Sequence, residues 1–257
     1  MTPAIQSGAY AEKQLSSRSR LIRWSHQRRF EVAVGRSAPF AGGRLLDYGC
    51  GDATYFDLLL RSLHAPASAL GVDRDGRVVE DDRRRFAGVA RVAFAGPDEL
   101  ERSGLEGSFD AIVCMEVMEH VVEPDPLLDL FVRLLAPGGR LLISVPVETG
   151  LPVIVKQTAR RVAGWRGIGD YATTLAYTWP DLVRGVFAGA RQHMAREVHF
   201  GADKLPFHHH KGFNWQTLRA RIAARFELER VSGSPVTWLP PHLGSQVWFE
   251  ARKPARR

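Results

Sequence analysis

Cysteine is nearly missing from this sequence: its 257 residues include two, Cys50 and Cys114. Two thiols cannot make a disulfide scaffold, so a hydrophobic core must hold the fold, and a reducing, cytoplasmic setting is expected. Long apolar runs are missing as well. No window approaches the roughly 20 apolar residues of a membrane span, and the opening MTPAIQSGAYAEKQ lacks the apolar stretch of a secretory signal. No internal repeat or low-complexity tract is visible, and the composition is that of neither a disordered nor a fibrous chain. At 45% hydrophobic, the sequence can bury one large core, or a core domain with appendages. Acidic residues are scarce only at the two ends. Residues 1–37 carry 7 Lys/Arg against 2 Asp/Glu, residues 38–150 carry 11 against 19, and residues 151–257 carry 17 against 7. The overall +7 therefore divides into basic flanks around an acidic middle, which favours an anionic substrate or surface.

The acidic middle opens with RLLDYGCGDATYF, residues 44–56. Leu45, Leu46 and Tyr48 form a short buried-strand run, and Gly49, Cys50 and Gly51 break it. Tyr55, Phe56, Leu58, Leu59, Leu60 and Leu63 then resume at helical spacing. A strand, a Gly-rich turn and a helix in that order gather backbone N–H groups at a crevice on the carboxyl edge of a sheet, where a nucleotide-like ligand would sit. The glycines let such a ligand approach the main chain without meeting a Cβ. Ala69–Val72 leads to Asp73, about 20 residues beyond the loop, the spacing at which a carboxylate accepts both hydroxyls of a ribose. A dinucleotide fingerprint wants Gly or Ala at the sixth position from Gly49. Thr54 stands there, which argues against NAD or FAD.

Asp47, Gly49, Cys50, Gly51 and Asp73 make the chain resemble the class I S-adenosylmethionine-dependent methyltransferases, with Ala53 where a third Gly is common. The stretch EVMEHV (Glu116–Val121) after the apolar strand Phe109–Met115, and the LAPGG turn before the strand Arg140–Val145, are further matches. The resemblance covers residues 44–146 strongly and the ends more loosely. It implies an α/β fold: a Rossmann-like, doubly wound, mostly parallel seven-stranded sheet with an antiparallel last strand inserted beside the fifth. It implies S-adenosylmethionine as cofactor, held by Asp47, Gly49, Cys50, Gly51, Asp73, Arg74, Asp98 and Glu116. Asp98 is the acid nearest the turn after the third strand, Arg91–Ala95, where the family meets the adenine, and Pro97 occupies part of that register. EVMEHV most resembles the ubiquinone-type O-methyltransferases. If it turns helically, Glu116, Glu119 and His120 share a face and could gather a divalent metal. Loop anchoring by Glu119 and His120 is the preferred reading, and no metal is assigned.

Four regions follow. Residues 1–37 are expected to be mainly helical, an apolar series from Leu15 to Val34 interrupted by Arg18, Arg20, Arg23, Arg28 and Arg29; the charges read first as the solvated face of a docking helix, and the resemblance implies a helical lid over the cofactor with Tyr10 as a contact. Residues 38–146 are the cofactor-binding core. Residues 147–212 exceed a plain connection and form an inserted helical cap, which walls an apolar substrate pocket or lies on a membrane surface. Residues 213–257 supply a helix from Trp215 to Ala224 and the last two strands, Phe226–Val231 and Gln246–Arg252. The cap ends in PFHHHKGFNW, where adjacent histidines cannot all face one point, so zinc is not expected.

The expected activity is transfer of a methyl group to an oxygen, or less readily a nitrogen, of a small or lipid-like, anionic acceptor, with peripheral contact to an anionic membrane surface. A hydroxyl acceptor must lose a proton, and an imidazole suits that task at neutral pH. His210 is the first candidate and His120, beside the cofactor loop, the second. The competing reading is a basic nucleic-acid-binding protein on a Rossmann-like scaffold, which would leave the cofactor motifs unused.

Overall fold

Apolar residues alternate between two faces along the central strands, and helices cover both faces. The computed structural model describes residues 20–150, 152–154, 178–192, 194–201 and 203–255, together with Gly8, Glu12 and Thr158. The expected contact of Tyr10, and most of the cap sequence between Leu151 and Tyr177, lie outside these residues. The strands are β1 (Arg44–Tyr48), β2 (Ser68–Val72), β3 (Val92–Ala95), β4 (Phe109–Met115), β5 (Leu135–Pro146), β6 (Val198–Phe200), β7 (Pro206–His208), β8 (Glu227–Ser234) and β9 (Gln246–Arg252). The helices are α1 (Arg20–Arg36), α2 (Thr54–Leu60), α3 (Gly76–Arg85), α4 (Pro97–Glu101), α5 (Pro124–Leu134), α6 (Trp179–Val186) and α7 (Trp215–Ala223).

Seven strands form one sheet in the order β3-β2-β1-β4-β5-β9-β8. Pairing is parallel from β3 through β5, and β9 runs antiparallel to both of its neighbours, as expected. Successive side chains of a strand point to opposite faces. Accordingly Leu45, Ala111, Val113 and Trp248 pack with Phe30, Tyr55 and Phe56 of α1 and α2. Leu46, Ile112, Cys114 and Phe249 pack with Leu128 and Phe131 of α5 and Trp215 of α7. Each fully buried Leu or Phe contributes roughly 1.5–3 kcal/mol, so the sheet is a stiff platform for the loops at its edge. Strand order reverses between β1 and β4. The loops leaving these two strands diverge there and open a crevice.

Three local differences from expectation have physical causes. Leu63 is 97% exposed because α2 stops at Leu60, so its side chain falls outside the helical stripe. β5 begins at Leu135, ahead of the Pro-Gly-Gly turn, because Gly138 and Gly139 exchange backbone hydrogen bonds with Lys253 at the sheet end (3.2 and 2.8 Å). The insert is helix and hairpin rather than helix alone. Its described residues include α6, opened by a reciprocal cap between Thr178 and Asp181, and the antiparallel pair β6–β7.

Candidate active site

The turn after β1 shows why glycine is needed. Gly49 has φ +80° and a Cβ there would lie 2.1 Å from Val117 Cγ2, while its N–H donates to Val72 O at 2.7 Å. Gly51 has φ +54°, and its N–H donates to Asp73 Oδ2 at 3.0 Å. The N–H of Asp75 donates to Asp73 Oδ1, also at 3.0 Å. The Asp73 carboxylate is thus fixed through both oxygens, and each keeps a lone pair for a ribose hydroxyl. Ala53, at the third-glycine position, takes the left-handed conformation (φ 51°) at the N-cap of α2. Below the loop, Arg85 donates to Asp52 O at 2.5 Å and pairs with the buried Asp82, tying the loop to α3. Asp47 is buried and neither of its carboxylate oxygens has a hydrogen-bond partner. Burial, then the nearby Asp73 and Asp82, push its pKa up to about 8. The buried Cys50 thiol is pushed up by the same burial and by Asp47, Asp82 and Asp73, which leaves it a poor nucleophile.

Two cavities meet at this turn. A cleft of about 1420 Å³ is lined by Tyr48, Gly49, Asp73, Arg74, Pro97 and Glu116, and continues past His120 along α5. A smaller one of about 210 Å³, under α1, is lined by Arg29, Asp47, Gly49, Cys50, Gly51 and Glu116. Gly49 and Glu116 line both. Glu116 has φ +57°, accepts a hydrogen bond from Ser144 Oγ at 3.1 Å, and lies 3.6 Å from Arg29 Nη1. Arg74 pairs with Asp203 at 3.0 Å and lies over the Phe207 ring at 5.6 Å, so the β6–β7 hairpin closes one side of the cleft. Asp98 is exposed. Pro97 opens α4 directly after Gly96, and Pro97 and Glu101 line the cleft at this point.

A sequence model of a methyltransferase domain matches residues 18–218, well over half of the chain. The chain belongs to the S-adenosylmethionine-dependent methyltransferases. It is 33% identical over 164 residues to the demethylmenaquinone methyltransferase of Clavibacter sepedonicus, covering 59% of this chain and 66% of that one. It is 31% identical over 171 residues to the ubiquinone biosynthesis O-methyltransferase of Caulobacter sp. (strain K31), covering 63% and 64%. The matched stretch therefore spans just under two thirds of each of these relatives. Among solved structures, the N-methyltransferase NodS from Bradyrhizobium japonicum WM9 shares the fold, with a TM-score of 0.51 at 18% identity over 89% of this chain and 96% of that one.

The cavities of this methyltransferase fit its family's cofactor. A carboxylate held at the sheet edge by Gly51 and Asp75 suits the ribose, and the guanidinium of Arg29, 11% exposed in the smaller cavity, suits the carboxylate of the amino-acid end. Sequence reasoning missed Arg29, because an arginine in a charged helix reads as a solvated one. Its signal was position: the next residue, Phe30, is buried on the face that packs against the sheet.

Beside the cleft the methyltransferase assembles a second group from distant parts of the chain. His120 lines the cleft. Its Nδ1–H donates to His208 O at 2.7 Å, which leaves Nε2 with the lone pair. The N–H of His208 donates back to His120 O at 2.9 Å, so β7 is stitched to the loop after β4. His210 packs edge-on against His120 with ring centroids 4.7 Å apart. Both rings face Glu119, with His120 Nε2 at 3.8 Å and His210 Nδ1 at 3.9 Å from its Oε1. Glu119 is fully buried, its carboxylate oxygens have no hydrogen-bond partner, and burial followed by Glu116 raises its pKa well above the usual range. Burial also lowers the pKa of His120. The segment after β4 is a turn, not a helix, so Glu116 swings to Arg29 and Ser144 instead of joining Glu119 and His120. His210 takes its place. One ligand atom each from Glu119, His120 and His210 lie within 4.8 Å of one another, a spacing from which a divalent cation could be held.

Proposed function

We propose that this chain methylates a hydroxyl oxygen of a small, neutral, lipid-like aromatic acceptor of the quinol type. The observation that carries the reading is His120, with its tautomer fixed, in a cleft that is also lined by apolar Val117, Val121, Val122, Leu127, Leu130 and Phe207. Two relatives named for quinones support the quinol-type acceptor, and the one named an O-methyltransferase supports oxygen as the accepting atom. Charge on the cleft wall supports a neutral acceptor rather than an anionic one, since Asp73, Asp75, Glu101, Glu116, Glu123 and Asp129 outnumber Arg74 and Arg133.

When bound, S-adenosylmethionine supplies a methyl activated by its sulfonium. Asp73, Gly49, Gly51 and Arg29 hold and orient it. The acceptor would align against the apolar lining and His120 Nε2 would take its hydroxyl proton, while the methyl would pass from sulfur to that oxygen, leaving the cofactor as the neutral thioether. His120 is the group that touches the acceptor; His210 and Glu119 stand behind it as positioning residues. This reverses the order expected from sequence. A lowered pKa keeps His120 neutral at pH 7, so activity should fall only when the pH drops below the ordinary histidine range. His120→Ala should lose about 10²-fold or more in turnover and keep cofactor affinity. His210→Ala should lose less. Equal turnover of His120→Ala and the parent would overturn the assignment.

A second reading is favoured by the His120 Nδ1–carbonyl bond, an arrangement common in metal-ligating histidines: Glu119, His120 and His210 hold a divalent cation that orients the acceptor oxygen. Dialysis against a chelator decides between them. Activity lost and restored by added metal supports the cation, and activity retained supports the histidine alone.

A further inference from the structure

We propose that the outer face of α6, with the Pro241–Leu243 turn and one end of α1 beside it, docks on an anionic phospholipid bilayer. Trp179 and Val183 of α6 and Phe187, its C-cap, recur every four residues and are 78%, 55% and 79% exposed, whereas Gly185 on the opposite side is buried against Glu148 and Val153. The exposed apolar stripe is thus one face of a helix anchored by the other. Two further segments meet α6 here. The N–H of Gly150 donates to Gly185 O at 2.9 Å, and the Cβ position of Gly150 is 3.9 Å from His242 O, which brings the turn carrying Leu243 alongside. In the same connection Trp238 is 82% exposed, and Arg28 of α1 donates to Pro235 O at 3.4 Å. Trp24, one helical turn before Arg28, is 46% exposed.

Charge selects the occupant. Asp181 is the one carboxylate of α6, and Lys211 neutralises it at 2.8 Å. Arg184 in α6 and Arg191, four residues past Phe187, are exposed. Tryptophan rings at headgroup depth, aliphatic groups below them and arginines reaching phosphates describe an in-plane amphipathic helix on an anionic leaflet. No helix among the described residues is long and apolar enough to cross a membrane. The proposal rests on the reading of the acceptor as lipid-like: Lys211, which pairs with α6, follows His210 directly, so docking would set the cleft against the phase in which such an acceptor dissolves.

The test is cosedimentation of the full chain with vesicles of phosphatidylcholine alone or mixed with phosphatidylglycerol, with no methyl acceptor present, so that the outcome does not depend on turnover. The parent should pellet with the mixed vesicles and release at high salt. Arg184→Gln should bind about fivefold more weakly, the worth of one basic residue at such a surface. W179S/F187S should stay in solution while keeping its circular dichroism and its calorimetric affinity for S-adenosylhomocysteine. Brominated lipid should quench the parent's tryptophan fluorescence, an observation that needs no variant. A parent that does not pellet, a double variant that pellets equally, or a parent dimer in light scattering that the double variant splits would each overturn the proposal, the last by assigning the face to a second copy.

Discussion

Arg29 is one of five arginines in the first 29 residues, and in sequence only the adjacent apolar Phe30 hints that it lies near a buried face. Only the folded chain turns it under α1 toward Asp47 and Gly49. A guanidinium bound to a carboxylate contributes about 1.5–3 kcal/mol. Arg29→Ala should therefore weaken S-adenosylhomocysteine binding by about 10- to 100-fold with little change in thermal midpoint, and Arg29→Lys should recover part of the loss. Calorimetry that finds the parent's affinity in Arg29→Ala would remove this residue from the site. The place of Asp73 in the cleft, by contrast, was legible from its position at the end of an apolar run about 20 residues past a Gly-rich turn. The histidines were half legible. Glu119 and His120 are adjacent, but His210 reaches them only because β7 pairs with the loop after β4, a contact between residues about 90 apart in sequence.

At the scale of elements, legibility followed length and burial. β4 and β9 match their expected limits to the residue, β4 because a strand buried on both faces writes an almost continuous apolar run and β9 because its residues alternate enough to read as a strand. β6 and β7 have three residues each, too few for a period of two to show, so the hairpin was not foreseen. That hairpin shapes the cleft through Arg74, Asp203 and Phe207. The Arg74–Asp203 pair is partly exposed, and such a pair is worth about 0–1 kcal/mol of stability. Asp203→Ala should accordingly leave the thermal midpoint within about 4 °C, and raise the KM for the cofactor severalfold by freeing one wall of its cleft. An unchanged KM would mean that the hairpin does not bear on cofactor binding.

For the whole molecule, the acidic core and basic flanks seen in the composition acquire places. Six acids line the cleft, and Asp47 is buried at the adjoining turn. Its folded pKa of about 8 exceeds the ordinary 3.8, so above pH 4 the unfolded chain gives up this proton while the folded chain keeps it. The unfolded state then binds fewer protons, and this group's contribution to stability is lost as the pH rises from about 4 to about 8. Asp47→Asn removes that slope: its thermal midpoint should gain on the parent's steadily through this window and match its trend below it. A constant difference across the window would show that Asp47 ionises normally. The central claim, that the cleft brings an activated methyl to a quinol hydroxyl, meets its most direct test in one mass-spectrometric experiment. The purified chain is incubated with methyl-deuterated S-adenosylmethionine and a long-chain catechol or hydroquinone, and the products are analysed. The account predicts a labelled methyl ether, formed by the parent and nearly lost in His120→Ala. Label on carbon or nitrogen, or an equal yield of ether from His120→Ala, would contradict it.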